Sequence, residues 1–256
     1  MGSKSVLLTI AGSDPFGGAG IQADLKTAER LGCYGCSVIT ALTAQNSHGV
    51  ADIWPVGSEI VETQLLSLME DIKPDAVKIG MIADAPTIKV VGNILKHYNV
   101  SNIVVDPVLT PTKGKSLIKE SVIEALYEYI FPIATLITPN LPESKKLSET
   151  VKKDVFHYNT AVLLKGGHSD SEIIEDILII NTNSSSLQEK KYSHARIPTI
   201  NTHGSGCVLS SAIACGLAKG YSLEEAVEDG IRFITCALSS FIDIRLGSGG
   251  YGPTLF

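Results

Sequence analysis

The sequence predicts an α/β protein with three layers, in which helices cover both faces of a mostly parallel, doubly wound sheet. Short apolar segments alternate with segments of helical periodicity along most of the chain. The apolar segments are hydrophobic throughout, as strands buried between two helical layers are. Alternation of strands and helices is typical of βαβ units, and hence of a parallel sheet.

The predicted strands and helices follow one another in the order that βαβ units require. Six strands are expected, at Val6–Ile10, Ser37–Ala41, Ala76–Ile79, Ile103–Val105, Leu136–Thr138 and Ala161–Leu164. The expected helices are Gly20–Leu31, Ser58–Asp71, Ala85–His97, Ser116–Tyr129, Gly206–Lys219 and Leu223–Ile242. In the helical segments, apolar residues recur so that they share one face, which can pack on the sheet.

The alternation breaks once, in the last third of the chain. Ile173–Ile180 and Gln188–Arg196 are predicted strands on either side of an Asn/Ser turn. We therefore expect an antiparallel hairpin at one edge of the sheet. Because no linker, repeat or low-complexity segment divides the sequence, residues 1–256 are predicted to form a single domain.

The composition excludes several classes of protein. Acidic residues outnumber basic residues by 27 to 21, whereas nucleic-acid-binding proteins usually carry a basic patch. The long apolar stretch near residue 130 is interrupted by Glu124 and Glu128, so it does not predict a membrane span. Five cysteines, an odd number, are typical of reduced thiols. We expect a cytoplasmic protein without nucleic-acid or membrane partners.

A glycine-rich segment follows the first predicted strand. It reads Ala-Gly-Ser-Asp-Pro-Phe-Gly-Gly-Ala-Gly over residues 11–20 and opens a predicted helix. Glycines let the backbone approach a ligand closely and adopt positive φ, so this loop is a candidate for binding an anion or a ring. The alternative is a tight strand-to-helix turn. The pattern matches neither the dinucleotide fingerprint nor the Walker loop.

A second glycine-containing turn lies at residues 202–207, with the sequence Thr-His-Gly-Ser-Gly-Cys, and leads into a helix rich in small residues. A helix N-terminus with free N–H groups favours phosphate. Cys207 falls in the first turn of that helix, where the pKa of a thiol is expected to be lowered. The alternative is a buried structural cysteine.

Polar residues also follow three of the predicted buried strands. Asp106 ends one strand, Asn140 and Glu143 follow the next, and Lys165 ends a third. The carboxyl ends of parallel strands meet at one edge, where ligands bind in such sheets. An acid, an amide, a cation and an anion cradle are the groups that phosphoryl transfer needs, and Mg²⁺ prefers carboxylate oxygens. Each residue taken alone is equally consistent with a turn or a solvated charge.

In order along the chain, the motifs resemble those of the hydroxymethylpyrimidine/phosphomethylpyrimidine kinase family of thiamine biosynthesis, in the ribokinase-like superfamily. They are Ala-Gly-Ser-Asp, Gly-Gly-Ala-Gly-Ile-Gln-Ala-Asp-Leu-Lys-Thr, Ile-Gly-Met, Asp-Pro-Val, Thr-Pro-Asn-Leu-Pro-Glu, Lys-Gly-Gly-His and Thr-His-Gly-Ser-Gly-Cys. The resemblance implies a three-layer ribokinase-like fold and a homodimer. It also implies phosphorylation of 4-amino-5-hydroxymethyl-2-methylpyrimidine by MgATP, and then of the monophosphate to the diphosphate.

The resemblance also assigns expected roles to individual residues. Gly204 and Gly206 resemble the family's anion hole. Cys207 occupies the reactive position, where it either accepts the substrate hydroxyl proton or helps to hold the transferring phosphoryl group. The remaining implied residues are Asp106 and Glu143 for magnesium, Asn140 and Lys165 for nucleotide phosphates, and Gly12, Ala19, Asp24, Gln45, Met81 and Val108 for the pyrimidine pocket. An amide such as Gln45 both donates and accepts, which complements an aminopyrimidine edge.

Three alternatives stay open from the sequence. A pyridoxal kinase of the same branch is the nearest alternative. A ligand-binding protein without activity and a cysteine hydrolase are more distant, because the former leaves the phosphate-binding residues unused and the latter lacks an evident partner for Cys207. Only 24 residues separate Asn140 from Lys165, which predicts a truncated or mobile flank where the family has a helix.

Overall fold

The computed structural model describes residues 4–109, 119–151, 160–167, 171–182, 186–250 and 252–256. Within these ranges, nine strands form one sheet in the order β3-β2-β1-β4-β5-β6-β7-β8-β9. The strands are β1 Val6–Ser13, β2 Tyr34–Asn46, β3 Gly49–Pro55, β4 Ala76–Ile79, β5 Ile103–Val105, β6 Leu136–Ile137, β7 Ala161–Leu164, β8 Ile173–Thr182 and β9 Ser186–Ala195. The six central strands are parallel to one another: β2, β1, β4, β5, β6 and β7. The edge strands β3, β8 and β9 pair antiparallel with their neighbours.

Helices cover both faces of the sheet. They are α1 Gly20–Arg30, α2 Ser58–Met69, α3 Ala85–His97, α4 Glu120–Ala125, α5 Leu141–Val151, α6 Ser205–Ala218 and α7 Leu223–Ser240. Leu8 and Ile10 of β1 pack in the core layer that contains α2, α3 and α4, whereas Leu7 packs in the layer that contains α1, α6 and α7. Adjacent residues of a strand point to opposite faces, so two apolar layers explain why the strands are hydrophobic throughout.

This architecture confirms the predicted three-layer fold and each of the six predicted parallel strands. The hairpin of β8 and β9 lies at one edge, as expected. Part of the predicted helix Ser116–Tyr129 lies outside the described residues, and from Glu120 onward α4 continues into a π-helical turn at Leu126–Ile130. Among the described residues, no helix is both long and apolar enough to cross a membrane.

The prediction missed a second hairpin at the opposite edge. β2 is longer than expected and turns at residues 47–48 into β3, with an irregularity in pairing between Ala44 and Gln45. Several residues of this extension, such as Leu42 and Trp54, are more than half exposed. The predicted strands are segments that are apolar throughout, as strands buried on both faces are. An exposed edge hairpin lacks that pattern.

The segment after Asn140, expected to be truncated or mobile, begins with helix α5. Asn140 Oδ1 accepts the Glu143 N–H at 2.8 Å, and Glu143 Oε2 accepts the Asn140 N–H at 2.9 Å. This reciprocal pairing is a capping box, which satisfies two N–H groups that a helix start leaves open. The Asn-x-x-Glu spacing was a signal for this helix, although α5 buries few side chains.

Candidate active site

A cavity of about 630 Å³ lies outside the carboxyl ends of the parallel strands. Its wall is formed by the loops after β1, β4, β5, β6 and β7, by the β2–β3 hairpin and by the start of α6. All the site residues expected from the sequence line this cavity except Asp24. The topology brings them together because parallel strands end at the same edge of the sheet.

Gly204 and the first turn of α6 form the candidate anion hole. Gly204 is the N-cap of α6 and has φ of 78°, a left-handed conformation that disfavours side chains. A Cβ atom at this position would overlap the carbonyl oxygen of Gly18 in the glycine-rich loop. Because α6 begins at Ser205, its first N–H groups lack partners within the helix and carry the positive end of its dipole.

Asp106 and Lys165 form an ion pair beside this turn. Lys165 Nζ donates to Asp106 Oδ1 at 2.7 Å, and Thr138 Oγ1 donates to the same oxygen at 3.2 Å. A Cβ atom on Gly206 would lie 3.3 Å from both Asp106 Oδ2 and Lys165 Nζ. Burial by itself raises the pKa of Asp106, but Lys165 and Lys78 outweigh it and bring the pKa below its usual value. The carboxylate is therefore ionised next to the anion hole.

Glu143 is a second carboxyl group in the cavity wall. Besides capping α5, its Oε1 accepts the Leu109 N–H at 3.4 Å. Burial raises the pKa of Glu143 to about 7; Lys165 opposes the rise and Asp106 reinforces it. When two acids lie this close together, a cation beside them favours the ionised form of both. Asn140, expected to contact nucleotide phosphates, lines the cavity while its side-chain oxygen caps α5.

Cys207 lies at the base of the anion hole and is buried. Burial raises the pKa of its thiol to about 11, against the lowering effect of Lys78, while Asp24 and Asp106 raise it further. The expectation of a lowered thiol pKa at the helix N-terminus is therefore wrong. The helix dipole is a modest effect, whereas desolvation and two nearby carboxylates disfavour the thiolate strongly.

Asp24 does not line the cavity but forms a fully buried ion pair beneath it. Lys78 Nζ lies 2.9 Å from both Asp24 carboxylate oxygens. Thr9 Oγ1 donates to Asp24 at 2.6 Å, and Ser211 Oγ donates to it at 2.8 Å. With its oxygens engaged inside the protein, Asp24 supports Lys78 rather than contacting a ligand in the cavity.

Lys78 is a charged cavity residue that was not predicted from the sequence. It is fully buried in β4, it lines the cavity, and its charge acts on both Cys207 and Asp106. Although burial lowers the pKa of Lys78, Asp24 and the other nearby acids raise it above its ordinary value. A lysine inside an otherwise apolar strand was the available signal, since buried charges need partners.

The opposite half of the cavity is less charged. Met81 packs against the first loop so closely that a Cβ atom on Gly12 would lie 2.6 Å from its terminal methyl. Gln45, half-buried on β2, shares this wall with Val50 of β3. Ala19 and Val108, also expected from the sequence, line the cavity as well. The missed hairpin of β2 and β3 therefore builds part of the site.

Comparisons with known proteins agree with this geometry. The family model described as phosphomethylpyrimidine kinase matches residues 14–254. The hydroxymethylpyrimidine/phosphomethylpyrimidine kinase of Escherichia coli strain K12 is 38% identical over 258 residues, covering 96% of this chain and 95% of that protein.

Solved structures give the same result. The crystal structure of phosphomethylpyrimidine kinase from Clostridium difficile 630 has a TM-score of 0.75 and 40% identity, covering 92% of this chain and 100% of that one. An ADP complex of Bacillus subtilis pyridoxal kinase has a TM-score of 0.87 and 33% identity, covering 99% of this chain and 97% of that one. These relatives show that the chain is a phosphotransferase and belongs to the phosphomethylpyrimidine kinase family.

Proposed function

We propose that this kinase uses MgATP to phosphorylate the hydroxymethyl group of 4-amino-5-hydroxymethyl-2-methylpyrimidine, and then the resulting monophosphate, in thiamine biosynthesis. The observation that supports this most is the closeness of Gly206 to the ion pair, since a Cβ atom on Gly206 would lie 3.3 Å from both Asp106 Oδ2 and Lys165 Nζ. It joins an amide cradle for the transferring phosphoryl group to a charged site for the nucleotide. The whole cavity, of about 630 Å³, has the size of a small-molecule site, and the less charged residues Gln45 and Met81 lie in the half where a small heterocycle would bind.

Phosphoryl transfer depends mainly on positioning and on stabilising charge. In the proposed mechanism, the N–H groups at Gly204, Gly206 and Cys207 stabilise charge on the transferring group. Lys165 adds a positive charge at the nucleotide phosphates, near Asn140. The substrate hydroxyl loses a proton on transfer. Either the thiolate form of Cys207 accepts this proton, or the proton passes to water and Cys207 helps to hold the phosphoryl group.

The two carboxyl groups fit a magnesium ion that arrives with the nucleotide. Mg²⁺ in such sites takes one or two carboxylates and completes its shell with phosphates and water. The pKa of Asp106 is lowered by Lys165 and Lys78, whereas that of Glu143 is raised mainly by burial and also by Asp106, so a cation beside both acids would favour the charged form of Glu143. Among the described residues, no group of three or more histidine, cysteine or acidic side chains is placed to hold a metal ion by itself. When bound, the ion would neutralise phosphate charge.

Replacing Asp106 with asparagine is expected to raise the magnesium concentration needed for half-maximal turnover by about 10–100-fold. The amide keeps the size of the side chain but removes the charge that both Lys165 and a cation use. The measurement is initial rate against free Mg²⁺, together with the dissociation constant of the alcohol. Asp52→Asn, an exposed change on β3, is the control. Unchanged magnesium dependence in Asp106→Asn would contradict the metal assignment.

Replacing Gln45 with leucine is expected to raise the apparent KM for the pyrimidine and to spare that for ATP. The leucine keeps the volume but leaves polar edges of the bound ring unpaired, at a cost of about 1–3 kcal/mol. Steady-state kinetics with each substrate varied in turn measures the effect. Gln188→Leu, exposed on β9, controls for the substitution itself. Equal effects on both KM values would place the ring elsewhere in the cavity.

The second candidate substrate is pyridoxal, favoured by the TM-score of 0.87 to a pyridoxal kinase. Comparing kcat/KM for the aminopyrimidine alcohol and for pyridoxal tests the proposal directly. We expect the pyrimidine to be preferred. A preference for pyridoxal would overturn the proposed substrate and leave the kinase chemistry intact.

A further inference from the structure

The glycine-rich loop after β1 is wound around one carboxylate. Asp14 is 1% exposed, and its Oδ2 accepts N–H groups of Gly18 at 2.9 Å and of Ala19 at 2.8 Å. Its Oδ1 accepts the Phe16 N–H at 2.8 Å. Burial raises the pKa of Asp14, but His203 and these backbone amides outweigh it, so the net pKa is below the usual value. The shape of this loop therefore depends on an ionised Asp14.

A further donor to this carboxylate comes from a residue much later in the sequence. His203 Nε2 lies 2.9 Å from Asp14 Oδ2, although 189 positions separate the two residues. A carboxylate only accepts hydrogen bonds, so Nε2 carries the proton. His203 directly precedes Gly204, the N-cap of the anion hole. The backbone of the glycine-rich loop also approaches this side chain, since a Cβ atom on Gly18 would lie 2.6 Å from the His203 ring.

His203 also holds the end of the chain. Its N–H donates to the Gly252 carbonyl at 3.0 Å, and its carbonyl accepts the Thr254 N–H at 3.0 Å. Three segments far apart in sequence thus meet at one residue on the cavity wall. Asp14 and His203 are engaged with each other and with backbone, so neither is arranged to take part in the chemical step.

We propose that Asp14 and His203 act as a positioning pair that holds the anion-hole turn at a fixed distance from the substrate loop. Ala19, expected to line the substrate half, donates to the same carboxylate that binds His203. The pair therefore links the place where the alcohol binds to the amides that receive the phosphoryl group. This inference rests on the proposed function of the site. Displacements of about 1 Å in such an arrangement can cost about 100-fold in rate.

The test compares three variants at position 203. In His203→Leu the donor to Asp14 is lost, and we expect kcat to fall about 10–100-fold while KM for ATP and for the alcohol change less than about threefold. In His203→Gln the side-chain amide takes the place of Nε2, and most of the lost rate should return. His203→Asn carries the same amide on a shorter side chain that cannot reach Asp14, so its kcat should fall as much as that of His203→Leu. His97→Leu, exposed at the end of α3, is the control.

Thermal unfolding of each variant accompanies the kinetics, so that every rate is measured on folded protein. If the leucine variant does not fold, the comparison of glutamine with asparagine carries the test. Wild-type kcat in His203→Leu, or equal impairment of the glutamine and asparagine variants, would overturn the proposal. The variants are assayed with whichever alcohol the wild type phosphorylates, so an error in the proposed substrate shows in the wild type and is distinguishable from failure of the positioning pair.

Discussion

Gly204→Ala is expected to lower turnover by about 10²–10³, the range for loss of an anion-hole donor. Alanine disfavours the left-handed φ of 78°, and its Cβ atom would overlap the Gly18 carbonyl oxygen. Because that neighbour is backbone, relief requires the turn to move away from the glycine-rich loop. The amides of the first turn of α6 would then no longer point at the transferring phosphoryl group. Pre-steady-state phosphoryl transfer at saturating substrates measures the loss.

Gly220→Ala is a matched control for this substitution. Gly220 follows α6 and has φ of 85°, but a Cβ atom there would meet no other atom within 4 Å. Both variants therefore carry a conformational cost of about 1–2 kcal/mol, whereas only Gly204→Ala carries the overlap. We expect Gly220→Ala to lose about as much conformational stability from its φ angle as Gly204→Ala does, but to keep near-normal turnover. Equal turnover in the two variants would mean that the turn at Gly204 is not catalytic.

Cys207→Ala is expected to lower turnover by about 10²–10⁴, the range for general acid–base catalysis, and to leave ATP binding nearly unchanged. Alanine removes the thiol but keeps the backbone N–H of the anion hole. Steady-state kinetics and ATP titration of the variant separate the two effects. Turnover like that of wild type would show that the thiol only packs, and that the loop backbone carries the catalysis.

The pH dependence of the rate separates the two roles proposed for Cys207. Since the pKa of the thiol is raised to about 11, the thiolate is the minor form at neutral pH, and its population grows about tenfold per pH unit below that pKa. If the thiolate accepts the hydroxyl proton, the rate of phosphoryl transfer rises in this way between pH 7 and 9. In Cys207→Asp the carboxyl group has a much lower ordinary pKa than a thiol, so we expect measurable activity without that rise. A flat profile in the wild type would assign the thiol to holding the phosphoryl group.

Local patterns were sufficient to predict most of the architecture. A strand buried on both faces is apolar throughout, and that property is visible in a few consecutive residues such as Ile103–Val105. A parallel sheet then places the loops after its strands at one edge. This is why Asp106, Glu143, Lys165 and Cys207 could be predicted to meet from the sequence, although they come from four separate segments.

Exposed or polar elements were harder to predict. The hairpin of β2 and β3 is stabilised by pairing with the rest of the sheet, while residues such as Trp54 remain exposed. Helix α5 depends on the capping box of Asn140 and Glu143 more than on apolar periodicity. In both cases the stabilising contacts leave only a weak pattern in the sequence.

The sequence by itself determined the fold class, the edge of the sheet where the cavity lies, and twelve of the residues that line the cavity. Only the tertiary structure decided the electrostatic state and the partners of individual side chains. Asp24 forms an ion pair with Lys78, 54 positions away in the sequence, and Asp14 is hydrogen-bonded to His203, 189 positions away. The pKa of Cys207 is raised because burial and two carboxylates, which are near in space but distant in sequence, outweigh the effect of the helix N-terminus on which the thiol lies. A local pattern reports which residues are buried, but the sign of a pKa shift depends on the balance of charges that folding brings together.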